Sequence, residues 1–174
     1  MTIEYAQHDR TRRPEAQHGP APAPHMEQHK PYRTLAVMAV VSFAIMFVLM
    51  YAMVDRIGNI FPNLNQAYMA ALMAAPMVLL ELGLMRHMYR DKRANLATIA
   101  LSLVVFAFAF LGIRYQLGIS NGQFLRSMIP HHAGAILMCE RAPVTDAELR
   151  QLCGNIISSQ RAEIDQMKTI LRRS

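Results

Sequence analysis

The chain has 174 residues, of which 53% are hydrophobic, and it carries a formal charge of +6 at neutral pH. With a positive mean hydropathy of +0.15, it is too apolar for an ordinary soluble domain of this length. Its basic residues alternate with acidic ones on the outer faces of the predicted helices and form no continuous stripe, so we expect no nucleic-acid partner.

The first 33 residues form a low-complexity segment that is rich in histidine and proline. The run from Gly19 to Pro24 alternates proline with alanine and cannot build a packed core, so we predict a disordered cytoplasmic tail over residues 1–33. The tail histidines have two interpretations: they are solvated side chains, or they form a flexible metal-collecting arm. They are His8, His18, His25 and His29.

Three long apolar runs follow the tail, at residues 34–54, 66–85 and 95–113. About 20 helical residues cross the hydrocarbon core of a bilayer, and each run is long enough to do so. We therefore predict a three-helix transmembrane domain over residues 34–113. A cleavable signal peptide is not expected, because a long polar segment precedes the first run and no small-residue cleavage site follows it.

The distribution of lysine and arginine predicts the orientation of these spans. Only Arg56 lies between the first and second spans, whereas nine basic residues lie in the tail and between the second and third spans. Positively charged connections stay in the cytoplasm, so everything after the third span is expected outside. The predicted location is a bacterial inner membrane, with a cytoplasmic N-terminus and a periplasmic C-terminal domain. The nine residues are Arg10, Arg12, Arg13, Lys30, Arg33, Arg86, Arg90, Lys92 and Arg93.

Methionine recurs at every fourth position along the second span, except that a glutamate occupies one of these positions. Helix packing is the default interpretation, because methionine fills irregular gaps between helices, and a thioether path for Cu(I) is the alternative. The acid, Glu81, lies near the cytoplasmic end, where we expect a structural contact with Arg86 or with lipid headgroups. The methionines are Met69, Met73, Met77 and Met85.

Residues 120–174 are predicted to form an extracytoplasmic antiparallel helical hairpin, which makes the whole chain all-α. Ser120 with Gln123, and Thr145 with Glu148, fit capping boxes that open its two helices.

A concentration of metal-binding side chains lies in the first hairpin helix, between residues 128 and 139. Two imidazoles, two thioethers and a thiol fall within about three helical turns, and such donors bind copper. Pro130 lies among them, and it frees the carbonyl of Arg126 and is expected to kink the helix beside the histidines.

Helical phase predicts how the two hairpin helices face each other. A register that sets Cys139 opposite Cys153 also sets His132 opposite Gln160. The same register brings Met128 near Ile164 and Met167.

The hairpin resembles the family called domain of unknown function 305, through a Met-Ile-Pro-His-His motif and a later series of matching positions. The resemblance covers about residues 124–171 and implies half of a ferritin-like four-helix bundle, periplasmic or tethered to a membrane, with copper binding in at least one member. The matching positions are Met128 to His132, Ala135-Ile136, Met138, Ile156-Ile157, Gln160, Glu163-Ile164 and Met167.

The resemblance implies a copper-binding role for five residues: Met128, His131, His132, Met138 and Met167. Longer relatives carry the His-His motif twice and this chain carries it once, so two chains are expected to complete a bundle as a homodimer or higher oligomer.

Cys139 and Cys153 depart from the family pattern, because many relatives have alanine at both positions. They are the chain's only cysteines, and both lie on the side that is predicted to be oxidising. We expect a disulfide that clamps the open end of the hairpin, with a copper–thiolate site or two free thiols as the alternatives.

Two classes of function remain. The first is a membrane-anchored protein that binds copper on the periplasmic side and takes part in copper handling. The second is a non-catalytic scaffold or accessory subunit of a membrane complex, without a metal. We expect no enzyme, because the chain lacks the His-Glu-x-x-His motif of zinc proteases and a phosphate-binding loop, and the hairpin lacks the Glu-x-x-His pattern of di-iron bundles.

Overall fold

A computed structural model describes residues 30–173, and all the regular secondary structure in this part of the chain is helical. The all-α prediction is confirmed, with two short 3₁₀ turns, Met50–Met53 and Ile57–Asn59, in the first connection. The tail was predicted over residues 1–33; residues 1–29 lie outside the described residues, and the prediction is wrong for residues 30–33, which belong to a helix. The helices are α1 (Lys30–Leu49), α2 (Leu64–Leu84), α3 (Lys92–Tyr115), α4 (Asn121–Arg141) and α5 (Ala147–Leu171).

The first three helices are long and apolar enough to cross a membrane, as the sequence predicted. They extend over Lys30–Met53, Leu64–Leu84 and Lys92–Tyr115. All three begin before the apolar runs, and the extensions of α1 and α3 include basic residues, whose long side chains can reach out to the headgroups while the backbone stays helical.

Helix α2 lies at the centre of this group, and α1 and α3 both pack against it. Small residues on α2, including Ala70, Ala74 and Ala75, are buried and allow the close approach that is typical of membrane helices. On α3 the matching position is Gly112, where an added Cβ would lie 2.9 Å from the ring of Tyr68. The Tyr68 hydroxyl donates to the carbonyl of Leu117 at 2.8 Å, which fixes the end of α3 to α2.

The methionine stripe of α2 does not face its neighbours. Met69, Met73 and Met77 are 40%, 46% and 41% exposed, whereas Met85 packs against the cluster around Leu82. These three side chains therefore contribute less to packing among the described helices than the alanine face of α2, which is turned inward.

Helices α4 and α5 pack against each other as the predicted hairpin. The Ser120 hydroxyl accepts from the Gln123 amide at 3.3 Å, as expected for the N-cap of α4. The second cap was predicted one residue too early: Asp146, not Thr145, accepts from the Leu149 amide at 2.8 Å. Both residue types cap helices, and a carboxylate at this position also interacts favourably with the helix dipole.

The hairpin packs directly on the connection between α1 and α2. Pro130 has no N–H, and the carbonyl of Arg126 that it leaves without a helical partner accepts from the Asn63 side chain at 3.3 Å. In return, the Gln123 side-chain oxygen accepts from the backbone N–H of Leu64, at the start of α2, at 2.9 Å. The hairpin is thus held by polar contacts with two adjacent residues at the start of α2.

A second set of polar contacts lies further along the same interface. The ammonium group of Lys168 donates to the Asn59 side chain, and Asn59 in turn donates to Asp55 at 2.6 Å. These contacts fix α5, as well as α4, to the first connection.

Candidate metal centre

The hairpin is built around a small apolar core that it shares with the first connection. Ile129, Ala133 and Ile136 are fully buried on α4, and Ile164 is 4% exposed on α5. Val54 and Phe61 of the connection, together with Met167 and Leu171 of α5, pack against them. This core sets the rotation of α4 and therefore the directions in which its two histidines point.

His132 lies at the seam between α4 and α5 and faces an acidic residue. Its Nδ1 atom is 3.0 Å from a carboxylate oxygen of Glu163, and its side chain is 13% exposed. The predicted partner Gln160 lies one turn before Glu163 on α5, so the register is close to the predicted one. Burial lowers the pKa of His132, while the Glu163 carboxylate raises it and His131 lowers it. Because burial is the largest of these influences, the imidazole is neutral at pH 7, which is the state that ligates metals.

Two buried polar atoms at this seam have no hydrogen-bond partner among the described residues: Nδ1 of His132 and the side-chain oxygen of Gln160. The contact of Nδ1 with Glu163 is short but lacks hydrogen-bond alignment. Leaving a buried polar atom unpaired costs about 1–3 kcal/mol. The unpaired imidazole nitrogen of His132 is the kind of atom that ligates metals.

His131 points away from the seam and is exposed. Its ring centre is nevertheless only 6.0 Å from that of His132, with the ring planes tilted by 59°. This ring separation leaves the two histidines as neighbours at the surface of α4, with only His132 at the seam.

The three candidate methionines occupy different surroundings. Met167 packs on the hairpin core, Met128 is half-buried, and Met138 is 53% exposed. Met128 and Met167 thus belong to the interior of the hairpin, whereas Met138, like His131, faces outward.

Cys139 and Cys153 face each other across the hairpin, as the register predicted. Their thiols are free and lie in hydrogen-bond contact. This contact, with burial, raises the pKa of Cys139 to about 11. The pair lies beside the turn that joins α4 to α5, so the expectation that it clamps the open end was wrong. The cause is simple, since Cys139 is near the end of α4 and Cys153 near the start of α5.

Glu163 is the site residue that sequence reasoning did not select. It was noted only as part of the family pattern, although its position three residues after Gln160 placed it near the same face. Across residues 30–173 no cluster of three or more histidine, cysteine, aspartate or glutamate side chains converges. Any metal at the seam would therefore draw on thioether or amide donors besides His132 and Glu163.

Comparison with known proteins places this hairpin in a family. Residues 120–174 match the family described as "Domain of unknown function (DUF305)". An uncharacterised protein of Acanthamoeba polyphaga mimivirus is 36% identical over 120 residues, which make up 67% of this chain and 76% of that protein. The chain belongs to the DUF305 family. No solved structure matches it.

The similarity to the viral protein extends beyond the hairpin. An alignment of 120 residues is more than twice as long as the 120–174 segment, so part of the membrane helices is shared as well.

Proposed function

We propose that the protein is a membrane-anchored Cu(I)-binding protein without catalytic activity, which takes part in copper handling at the outer face of a bacterial inner membrane. The observation that carries this proposal is the unpartnered buried Nδ1 atom of His132, because imidazole nitrogen ligates copper. Met128 and Met167 supply thioethers in the same hairpin, and a mixed thioether and imidazole set prefers Cu(I) to hard cations.

Anaerobic Cu(I) titration against a competing chelator tests this proposal. We expect the His131→Ala, His132→Ala double variant to lose at least about tenfold in affinity, which is about 1.4 kcal/mol. Glu163→Gln should also lower the affinity, because Glu163 lies 3.0 Å from the Nδ1 atom that would ligate the metal and the variant loses its negative charge. His87→Ala is the matched control, because His87 is exposed in the connection between α2 and α3. Equal affinity in the native chain and the double variant would leave the scaffold interpretation in place.

The pH dependence of binding provides an independent check. Protons compete with the metal for an imidazole, so affinity falls once the pH drops below the pKa of the histidine. Because the pKa of His132 is lowered, the loss should begin below the ordinary value of about 6.5. The residual binding of a His132→Ala variant should lack this step.

The orientation of the chain is the second part of the proposal. We propose that the hairpin lies outside and that the connection between α2 and α3, which is rich in basic residues, lies in the cytoplasm. In a Cys139→Ser, Cys153→Ser background, a cysteine at Ala142 should react with an impermeant thiol reagent in intact cells. A cysteine at His87 should react only after lysis. The opposite pattern would invert the topology.

The third part is self-association through the hairpin, as expected if two chains complete a four-helix bundle. The outer surface of the hairpin exposes large apolar side chains, among them Met138 at 53%, Leu152 at 50% and Leu149 at 45%. A cysteine at Met138 should cross-link two chains in membranes when the native cysteines are replaced by serine. A cysteine at Arg150, which is exposed, is the control, and monomer in both would refute a dimer through this face.

A further inference from the structure

The three membrane helices enclose an open slot that the copper proposal does not use. Because α1 and α3 pack on α2, a cavity of about 340 Å³ remains between them, close to the lower end of the range of small-molecule sites. Alanines of α2 form its floor, at Ala71, Ala74 and Ala75, and the side walls include Leu35 and Phe43 of α1 and Val105 of α3.

The lining of the slot is suited to hydrocarbon. Apart from the hydroxyls of Tyr32, Thr98 and Ser102, the side chains that line it are apolar. The Tyr32 hydroxyl is already engaged, since it donates to the Asn95 side chain at 2.8 Å. The stretch from Leu35 to Phe43 measures about 12 Å along the helix, which is close to half of the ~30 Å hydrocarbon core. The slot is thus about as deep as one leaflet.

Positive charge surrounds the end of the slot that lies away from the hairpin. There the starts of α1 and α3 meet, because the Tyr32 hydroxyl accepts from the Asp91 backbone N–H at 3.2 Å. Arg33 follows Tyr32 directly, and Lys92 and Arg93 follow Asp91, and all three are exposed. The Asp91 carboxylate accepts from the backbone N–H of Arg93 at 2.8 Å as the cap of α3.

We propose that this slot binds an anionic phospholipid, with one acyl chain between α1 and α3 and the phosphate among Arg33, Lys92 and Arg93. The proposal rests on the three helices crossing a bilayer and is independent of copper binding. In a membrane an apolar slot gains little from hydrocarbon alone, because lipid tails are as apolar as its walls. Selectivity over bulk lipid therefore comes from the basic residues, which attract anionic headgroups.

The absence of tryptophan from the chain permits a site-specific test. Phe43→Trp places one fluorophore in the slot. Phe106→Trp places one beside the slot, at a side chain of α3 that is 40% exposed. Each delipidated variant is titrated in detergent with phosphatidylglycerol or phosphatidylcholine brominated on the acyl chains, which quench tryptophan on contact. We expect the slot tryptophan to be quenched at a lower mole fraction of phosphatidylglycerol than of phosphatidylcholine. The two mole fractions should differ by about fivefold for each basic residue engaged. The outer tryptophan should show no headgroup preference.

Neutralising the basic residues at the end of the slot completes the experiment. Adding Arg33→Gln, Lys92→Gln and Arg93→Gln to the Phe43→Trp variant should abolish the preference while leaving quenching by both lipids. Equal quenching of the slot tryptophan by both lipids before neutralisation would overturn the proposal. Protection of that tryptophan from both lipids would also overturn it, because a helix of another chain would then fill the slot. Circular dichroism of each variant confirms that the helices are intact.

Discussion

Replacing Ile136 by alanine is expected to lower the free energy of unfolding of the hairpin by about 2–5 kcal/mol. Ile136 is fully buried, and it packs in the core formed by α4, α5 and the first connection. The large effect follows because removal of three carbon atoms leaves a cavity that the surrounding helices only partly fill. Since the same core fixes the rotation of α4, loosening it should also weaken metal binding through His132.

Hydrogen exchange of the α4 and α5 amides in detergent-solubilised protein measures this effect, because protection reports the free energy of opening. Leu152→Ala is the matched control: Leu152 is 50% exposed on α5, so its loss should change stability by only about 0.5 kcal/mol or less in a monomer. Equal loss of protection in both variants would contradict the position of Ile136 in the core of the hairpin.

The second large effect is expected from Cys139 and Cys153. We predict that they form a disulfide in the native membrane, because they face each other across the hairpin and lie on the side proposed to be oxidising. The bond would close a loop of about 15 residues and stabilise the hairpin by ~3 kcal/mol in the chain-entropy model. Non-reducing mass spectrometry should show a chain lighter by two hydrogen atoms, and both thiols free in protein purified without reductant would contradict the prediction.

The raised pKa of Cys139 bears on how the disulfide forms. The thiolate is the reactive species, and the pKa of Cys139 is raised to about 11. Attack by the Cys139 sulfur in the reduced protein should therefore be slow at neutral pH and accelerate as the pH rises towards that value. A Cys153→Ser variant separates the contribution of the bond from that of the side chains, since it should match the stability of the reduced native chain.

Several features of the fold and the site could be predicted from the sequence. The apolar runs predicted three helices of membrane-spanning length because length and composition are local properties. Helical phase was enough to place Cys139 against Cys153 and to bring His132 to the seam, since two helices joined by a short turn have few possible registers. The motif in residues 128–167 identified the family, which the match over residues 120–174 confirms.

Contacts between distant segments were decided only by the tertiary structure. Pro130 predicted an unpaired carbonyl at Arg126. The side chain that donates to this carbonyl belongs to Asn63, which lies 63 residues earlier in the chain. Likewise, periodicity showed a methionine stripe on α2 and could not show that the alanine face would turn inward. The contact of His132 with Glu163 instead of Gln160 depends on a rotation of α4 set by packing on Val54 and Phe61. A sequence pattern describes the faces of one helix, whereas the choice of neighbour for each face depends on how all the helices fill space together.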